Sequence, residues 1–487
     1  MTGTITLGPS DPTRPPAPPG VGDVTVEHPA DRAVVVAVAF AAVATDAGLR
    51  AGVCTVGSAV LTVGISGALV LTGRVTNRRV WPLLGVAAVL GVALATRTSP
   101  WLLVPDVLAA GGLVALAAAM ARDGDPLDLT LPRVVERALA VTIHGVVAPG
   151  FLAAARPRRR DKGSLAGVVR GALVAAPVVV VLGLLLASAD PVFASVFRLP
   201  TDAGQLAGHV VLLTLGAWSM AGLLRAASGR VAPELPPRPA WLGRTEAAVV
   251  LGGMVVLFAG FAAAQVLAAT GGADHVLRTE GLTYAEYARS GFFQLLAVAA
   301  ITLGVVLAVR ATVTGELTGS LLVLAELAAG LTVVIVVVAV RRLHLYEQAF
   351  GLTMLRLFSF LAAVWIGLVF ILLAFQLARA WRRHWFVPAS VALALAGLIG
   401  LHAVNPEAVV VRRNLDHYER TGRFDMFYPD ELSDDAVPTI LPALDRLPAG
   451  EERDFLRERL CERADDRGVW SYNVSSRAAE GARSRHC

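Results

Sequence analysis

Charged residues are scarce in this 487-residue sequence, where Asp, Glu, Lys and Arg together make up only 17% of the chain. Hydrophobic residues make up 55%, and the mean hydropathy is +0.63. A soluble protein of this length needs more polar surface than that, and the apolar residues form blocks instead of a helical or strand period. The composition therefore excludes a soluble globular protein and predicts a polytopic membrane protein.

Familiar catalytic and cofactor motifs are also missing. The sequence contains no Walker loop, Rossmann glycine pattern, zinc-spaced His and Cys cluster or serine nucleophile elbow. We therefore expect no metal and no cofactor, and a non-enzymatic role is favoured because no residue cluster has the spacing that catalysis requires.

Apolar runs long enough to cross a bilayer, which takes roughly 20 residues, recur along the chain. They predict an all-α polytopic transmembrane helix bundle of about 11 spans, with a range of 10–12. The runs lie at 33–48, 52–72, 81–96, 101–122, 168–188, 206–226, 247–270, 291–311, 320–340, 355–378 and 387–404. A further run at 138–155 is long enough to cross but contains His144 and Pro149.

Basic loops indicate the orientation, since loops rich in Lys and Arg stay cytoplasmic. If the 138–155 run does not cross, four basic loops fall on one side, with only Arg341 and Arg342 opposing. This predicts a multi-pass protein of a bacterial plasma membrane, with the N-terminus cytoplasmic and the C-terminus external. The run of basic residues at 156–162 is expected to contact anionic lipid, and nucleic acid is not expected as a partner.

Four regions are predicted. Residues 1–31 form a Pro-rich cytoplasmic tail that cannot bury a core, and 32–164 hold the first membrane segments and the basic loop. Residues 165–404 form the core bundle, and 405–487 form a small helical C-terminal domain outside the membrane. Cys461 and Cys487 lie in this last region, where an oxidising compartment would allow them to form a disulfide; two free thiols are the alternative.

A Gly-Leu-Thr sequence occurs twice before a long apolar run, at 281–283 and at 351–353. Thr283 and Thr353 are good N-caps, and Glu286 completes a capping box in the first copy. Helix N-termini beside an arginine attract anions. A polar or anion-binding site is therefore predicted around Glu280, Thr283, Glu286, Arg289, Tyr346, Glu347, Thr353 and Arg356. The simpler alternative is that both corners are ordinary helix caps.

Ionisable residues within the apolar runs form a second candidate group, because a charge in hydrocarbon costs roughly 2.5–3.5 kcal/mol on insertion scales. These residues are Asp106, Asp190, His209 and Glu326. Most of the polar positions fall in the half of each span nearer the C-terminal domain, which predicts a polar funnel opening outward. The alternative is that residues near span ends extend to the interface.

Four separated segments occur in the order that is typical of one family. They are "EGLTYAEYARSGFF", "LYEQAFGLTMLRL", the 34 residues beginning "NPEAVVVRRNLDHYERTG", and Trp470-Ser471-Tyr472-Asn473. Over about 165–475 the chain resembles the bacterial membrane-protein family known as domain of unknown function 4153/4173. The resemblance implies an integral membrane protein with a small C-terminal domain and brings no activity. By this likeness the signature positions are Glu280, Gly281, Tyr284, Tyr287, Arg289, Tyr346, Gly351, Thr353, Arg356, Asn405 and Pro406.

Three functions remain open from the sequence. The first is a transporter or receptor-like protein that binds a small solute at an outward-facing polar site. The second is a membrane-embedded enzyme acting on a lipid-linked sugar or a lipid, which would need an external catalytic acid. The third is an assembly or scaffold protein that binds an envelope component through the C-terminal domain. The first is preferred.

Overall fold

The computed structural model describes residues 30–153, 201–229, 242–267, 291–313, 317, 319–378, 384–422, 424–425, 428–462 and 469–487. Within these residues the regular structure is helical, and no strand forms. The helices of the apolar region are α1 (Arg32–Arg50), α2 (Val56–Leu71), α3 (Trp81–Leu94), α4 (Pro100–Ala119), α5 (Leu131–Val146), α6 (Ala148–Ala153), α7 (Thr201–Ser228), α8 (Arg244–Leu267), α9 (Phe292–Thr312), α10 (Ser320–Phe350), α11 (Met354–Leu377) and α12 (Phe386–Val404).

Eight of the described helices are long and apolar enough to cross a bilayer. They are α1, α4 and α7–α12, whereas α2 has 16 residues and α3 has 14. This is the arrangement of a multi-pass membrane protein. The predicted run at 168–188 lies outside the described residues, so the count of 11 spans stays a prediction.

The ends of the described helices agree with the predicted runs to within five residues, except at the C-terminal end of α10. Helix α7 begins five residues earlier than predicted, and α2 begins four residues later. Helix α11 begins one residue before the predicted 355 and α12 one residue before 387. Helix α10 was predicted to end at 340, but it continues to Phe350. Six of the ten extra residues are polar or charged or are a tyrosine, and the segment extends beyond the apolar stretch to the corner that leads into α11.

The helix ends define two faces of the bundle. We call the end where residues 405–487 pack the C-terminal face, and the other end the distal face. At the distal face Arg74 bonds Asp31 at 3.1 Å and Ser228 at 3.1 Å, and the Asn77 N–H donates to the Ala121 carbonyl at 2.8 Å. These contacts bring together the start of α1, the α2–α3 loop, and the ends of α4 and α7.

Helix α5 includes the first half of the apolar run at 138–155, and the sequence left open whether that run crosses the membrane. The helix lies near the distal face. Arg137 donates to the carbonyl of Ala119 at the end of α4, at 2.6 Å. At the C-terminal end of α5, Gly145 packs against Gly222, which lies less than two turns from the end of α7. The middle and the C-terminal end of α5 therefore both contact helix segments near the distal face, which supports the interpretation that this helix does not cross the bilayer.

Two hydrophobic cores lie side by side in the bundle. The first is formed by α1–α7 and the second by α8–α12. Leu395 and Leu398 of α12 also pack on the first core, so α12 joins the two. The start of α12 and the α4–α5 loop meet again at the distal face, where the His384 N–H donates to Asp128 at 3.0 Å.

Residues 405–487 form a third core of short helices. They include α13 (Pro406–Thr421), α14 (Val437–Ile440), α15 (Glu451–Glu462) and α16 (Val474–His486). Gly422, at φ +71°, ends α13 in the left-handed conformation that favours glycine. Pro438 and Pro442 divide the helical segment that follows into the single turn α14 and a 3₁₀ helix at Leu441–Arg446.

Candidate functional site

The second Gly-Leu-Thr corner, between α10 and α11, is held by the C-terminal segment. Gly351 has φ +75°, a conformation that favours glycine. The Leu352 N–H donates to Asn414 Oδ1 at 2.7 Å, and Asn414 Nδ2 donates back to the Leu352 carbonyl at 2.8 Å. The Met354 N–H donates to the Tyr428 hydroxyl oxygen at 2.7 Å. Side chains of α13 and the following segment therefore occupy the N–H groups that we expected to be free.

Arg356 caps this same corner. Its guanidinium donates to the carbonyls of Phe350 and Gly351 at the end of α10, and lies 4.2 Å from the centroid of the Tyr346 ring. The Thr353 hydroxyl accepts from the Arg356 N–H at 3.4 Å. The positive charge of Arg356 thus stabilises a helix C-terminus.

The other predicted members of the polar site divide into two groups. Glu347 lies one turn from the corner and contacts His344 at 3.6 Å. The members from the first Gly-Leu-Thr copy lie outside the described residues, and these are Glu280, Thr283, Glu286 and Arg289. An anion site that combines the two copies therefore stays a prediction.

Two of the intramembrane candidates are paired with residues from other helices. Asp106 in α4 meets His402 in α12, with Oδ2 and Nε2 2.8 Å apart. His209 in α7 meets Asp46 in α1, with Nδ1 2.7 Å from Oδ2. Both pairs lie near the C-terminal face, the side to which we assigned the polar funnel.

In the described part of the chain, the structure shows no pairing for the remaining two intramembrane candidates, Glu326 and Asp190. Glu326 is half-buried in α10, and no partner for its side chain occurs among the described residues. Asp190 lies outside the described residues.

A buried polar network joins the C-terminal segment to the start of α4. The Asp435 carboxylate accepts from the backbone N–H groups of Thr98 and Ser99, at 3.0–3.2 Å. It therefore takes up free donors at the N-terminus of a membrane helix, where a negative charge is favoured. Glu407 accepts from both the N–H and the hydroxyl of Ser433 at 2.8 Å.

Asn473, in the Trp-Ser-Tyr-Asn stretch, fixes the end of the chain onto the bundle. Its Nδ2 lies within hydrogen-bond distance of the carbonyls of Cys54, Leu94 and Arg97, at 2.9, 3.3 and 3.0 Å. Its Oδ1 accepts from two N–H groups at the start of α16. A single buried amide thus connects two loops of the C-terminal face to the last helix.

A cleft of about 350 Å³ lies between the bundle and the C-terminal segment. Its exposed rim includes Pro100 and Trp101 at the start of α4, Leu355 of α11 and Glu431. Its buried floor and walls are formed by Met354, Leu432, Tyr428, Thr353 and Glu407. The residues that line this cleft include two carboxylates and no basic side chain.

Glu407 is the charged group of the floor, and it is only 1% exposed. Burial raises the pKa of the Glu407 carboxyl above its ordinary value, although the bonds from Ser433 oppose this. Burial likewise raises the pKa of the Tyr428 hydroxyl, which remains protonated. The cleft therefore holds a carboxylate whose charge is only partly compensated.

Of the residues that line this cleft, sequence patterns singled out only Thr353. Glu407 follows the Asn405-Pro406 positions of the family resemblance, but it is equally an acid in the first turn of α13. Trp101 and Tyr428 are isolated aromatic residues that lie more than 300 positions apart, and only the fold brings them together. The signal that was available was the Asn-Pro-Glu sequence immediately after the last apolar run.

Cys461 and Cys487 are joined by a disulfide, with their Cα atoms 5.9 Å apart. It connects α15 to the residue after α16. Arg483 in α16 reinforces the same packing, since it donates to the Leu460 carbonyl and to Asp434, both at 2.8 Å. Among the described residues no group of three or more His, Cys, Asp or Glu side chains is placed to hold a metal ion.

Comparison with known proteins gives one match. The family model described as "Domain of unknown function (DUF4153)" matches residues 84–443. The match begins earlier in the chain than the resemblance we identified at about 165, and it ends before Trp470. It includes α4, α12 and most of the residues that line the cleft. No curated protein and no solved structure matches the chain.

Proposed function

The chain belongs to the family described as "Domain of unknown function (DUF4153)", and we propose that it is a receptor-like or transporter-like membrane protein that binds a small cationic solute without transforming it. One observation carries the proposal: the cleft between α4, α11 and the C-terminal segment has a buried acid, Glu407, in its wall. A concave site with a few convergent polar groups is the usual form of a small-ligand site.

The lining indicates the chemistry of the ligand. Glu407 and Glu431 favour a positive charge, and the rings of Trp101 and Tyr428 supply faces that attract cations. Leu355 and Pro100 add apolar surface at the rim. An organic cation with an apolar portion, such as an alkylammonium ion, fits this lining. Its charged group would contact the acidic and aromatic side chains, and its apolar portion would contact the rim.

The orientation of the protein is part of the proposal. The Cys461–Cys487 disulfide supports an oxidising, external location for the C-terminal segment. Arginines at the distal face, including Arg74, Arg79 and Arg122, support a cytoplasmic location for that face. The cleft would then open on the outer side of a bacterial plasma membrane.

The test is ligand binding by the purified full chain in phosphatidylglycerol nanodiscs, which supply no cationic headgroup. Calorimetric titration with a series of primary alkylammonium ions should show saturable binding. Glu407→Gln keeps the acceptor for Ser433 but removes the charge, so affinity should fall about 10- to 100-fold. Glu419→Gln, an exposed position on the same helix, is the matched control and should bind as the wild type does.

Binding should also weaken as pH falls. Because burial raises the pKa of Glu407, the carboxyl takes up a proton at a higher pH than a free glutamate, and the protonated form attracts no cation. The ratio of wild-type affinity to Glu407→Gln affinity should therefore shrink as pH falls. Equal binding by the wild type and Glu407→Gln, or no binding by either, would refute the proposal. Competition when phosphatidylethanolamine is added to the nanodiscs would identify a lipid headgroup as the source of the cation.

A further inference from the structure

Two ionisable side chains face each other inside the bundle, away from the lining of the cleft. Asp106 of α4 and His402 of α12 form the 2.8 Å contact described above, and their side chains are 1% and 9% exposed. Helices α4 and α12 are both long and apolar enough to cross the bilayer. Ionisable groups at such positions are costly, and they commonly mark proton or ion pathways.

Hydrogen-bond geometry shows how many protons the pair holds. His402 Nδ1 lies 3.2 Å from Thr96 Oγ1, and the Thr96 hydroxyl donates its proton to the Ala93 carbonyl at 2.7 Å. Since that hydroxyl has a single proton, Nδ1 must donate to it. The short contact between Nε2 and Asp106 then requires a second proton, on the nitrogen or on the oxygen. With both hydrogen bonds formed, the pair would hold two protons, and we call this its proton-loaded form.

Loss of that proton would leave an ionised carboxylate in a poor environment. Asp106 Oδ1 is buried and accepts no hydrogen bond from the described residues. A carboxylate with an unpaired oxygen in an apolar site costs several kcal/mol unless water reaches it. Separation of α4 and α12 at the C-terminal face would give water access to Asp106.

Both helices lead directly to the docked C-terminal segment. The Arg97 guanidinium, in the loop before α4, donates to the His402 carbonyl at 2.6 and 2.9 Å. Asn405, which follows α12, donates to the Asp435 carbonyl at 2.9 Å, and the Asp435 carboxylate caps the start of α4. Separation of α4 from α12 would therefore break hydrogen bonds that hold the C-terminal segment on the bundle.

We propose that Asp106 and His402 form a proton-binding site that keeps the C-terminal segment docked, and that release of the proton opens the cleft. The step from docking to ligand access rests on the function proposed above, because Trp101 lies on α4 and Glu407 lies just beyond α12. A proton would in this way regulate entry to the cation site.

The charged and titratable groups beside the pair have other bonding partners or remain neutral. Arg97 is bound to the His402 carbonyl, and Asp435 is bound to backbone N–H groups. Burial raises the pKa of the Cys54 thiol to about 11, so this thiol remains neutral. Helices α2 and α3 contain no titratable residue.

Groups on the other helices near the pair are engaged elsewhere. On α11, Arg356 binds the carbonyls at the α10–α11 corner. On α7, His209 is paired with Asp46 and Arg225 with His144. On α13, Glu407 accepts from Ser433.

Hydrogen–deuterium exchange of the full chain in nanodiscs tests the proposal without any ligand. The reporters are the N–H groups of Thr98 and Ser99, which donate to Asp435 only while the C-terminal segment is docked. As pH rises from mildly acidic to mildly alkaline, their protection, corrected for intrinsic exchange, should fall about tenfold. That is the effect of a proton bound about 1.4 kcal/mol more tightly in the docked form.

Asp106→Asn is the decisive variant. The asparagine amide can donate to Nε2 as the protonated carboxyl does, so protection should stay high at every pH. Asp46→Asn is the matched control, because Asp46 also pairs with a histidine, but that pair is more exposed, at 16% and 42%. This control should reproduce the pH dependence of the wild type.

Two results would overturn the proposal: protection that does not change with pH in the wild type, or a pH dependence that persists in Asp106→Asn. If Asp106→Asn does not fold, His402→Gln serves instead, and it should also abolish the pH dependence. The comparison of cation binding by the wild type and Glu407→Gln at one fixed pH does not depend on this result, so either proposal can fail without the other.

Discussion

At the scale of single residues, the contact between the bundle and residues 405–487 depends on a few buried polar side chains. Asn414, Asp435 and Asn473 each bond backbone groups of loops at the C-terminal face. Backbone N–H and C=O groups in buried loops need partners, and these side chains supply them. All three lie in segments that resemble the family, but the sequence does not show which backbone groups they bond.

Asn473 offers the clearest test at this scale. Replacement by Asp would remove the amide donors and place a carboxylate against the carbonyls of Cys54 and Arg97. We expect the free energy that holds the C-terminal segment on the bundle to fall by at least about 1–3 kcal/mol. Limited proteolysis of the full chain should then cleave this segment at least several-fold faster.

Ser484→Ala is the control for Asn473→Asp, since Ser484 is exposed on the same helix, α16. Its proteolysis should match that of the wild type. Equal cleavage rates for Asn473→Asp and the wild type would show that this amide does not hold the segment.

At the scale of helices, the apolar runs predicted where the described long helices lie, and they predicted most of the helix ends to within five residues. Helices α11 and α12 begin within one residue of their predicted starts, because hydrocarbon requires a continuous apolar stretch. Hydropathy does not predict how far a helix continues beyond the membrane. The last turn of α10 is stabilised by Arg356 of the next helix, and a hydropathy pattern gives no sign of that contact.

Packing between helices depends on glycines that the sequence does not distinguish from the others. A Cβ on Gly216 of α7 would lie 2.6 Å from the Ala41 carbonyl of α1, whereas one on Gly252 of α8 would meet nothing within 4 Å. Close backbone approach at small residues drives helix association in membranes. Helices α1 and α7 are therefore in contact at Gly216.

Gly216→Leu should destabilise the bundle by about 1–3 kcal/mol, because the added side chain must push α1 and α7 apart. The measurement is the thermal unfolding midpoint of the purified protein in detergent. Gly252→Leu makes the same substitution where space is open, and its midpoint should stay near that of the wild type. Equal loss in both variants would refute the close contact at Gly216.

At the scale of the whole molecule, orientation decides whether the cleft faces the outside. The disulfide gives a direct test in intact cells. In a Cys54→Ala background, a membrane-impermeant thiol reagent should label Cys461 and Cys487 only after a reductant is added. Reduction of the disulfide should also lower the free energy of unfolding of the C-terminal segment by about 3 kcal/mol, as expected for a disulfide that closes a loop of this size.

The contrary result of this labelling is equally definite. If Cys461 and Cys487 react only after the cells are permeabilised, the C-terminal segment is cytoplasmic. The cleft would then open to the cytoplasm, and the external orientation proposed above would be wrong. The variant Arg78→Cys places a thiol at the distal face and is the internal comparison. Its accessibility to the impermeant reagent should be the opposite of that of Cys461 and Cys487.

The sequence alone determined that this protein is a helical, multi-pass membrane protein of the DUF4153 family, because hydrocarbon permits only long apolar helices and the family motifs are local in the chain. The site was decided by the tertiary structure. Asp106 and His402 lie 296 positions apart, and Trp101 lies still farther from Tyr428. Pairing over such distances depends on how the helices pack, which neither composition nor periodicity records.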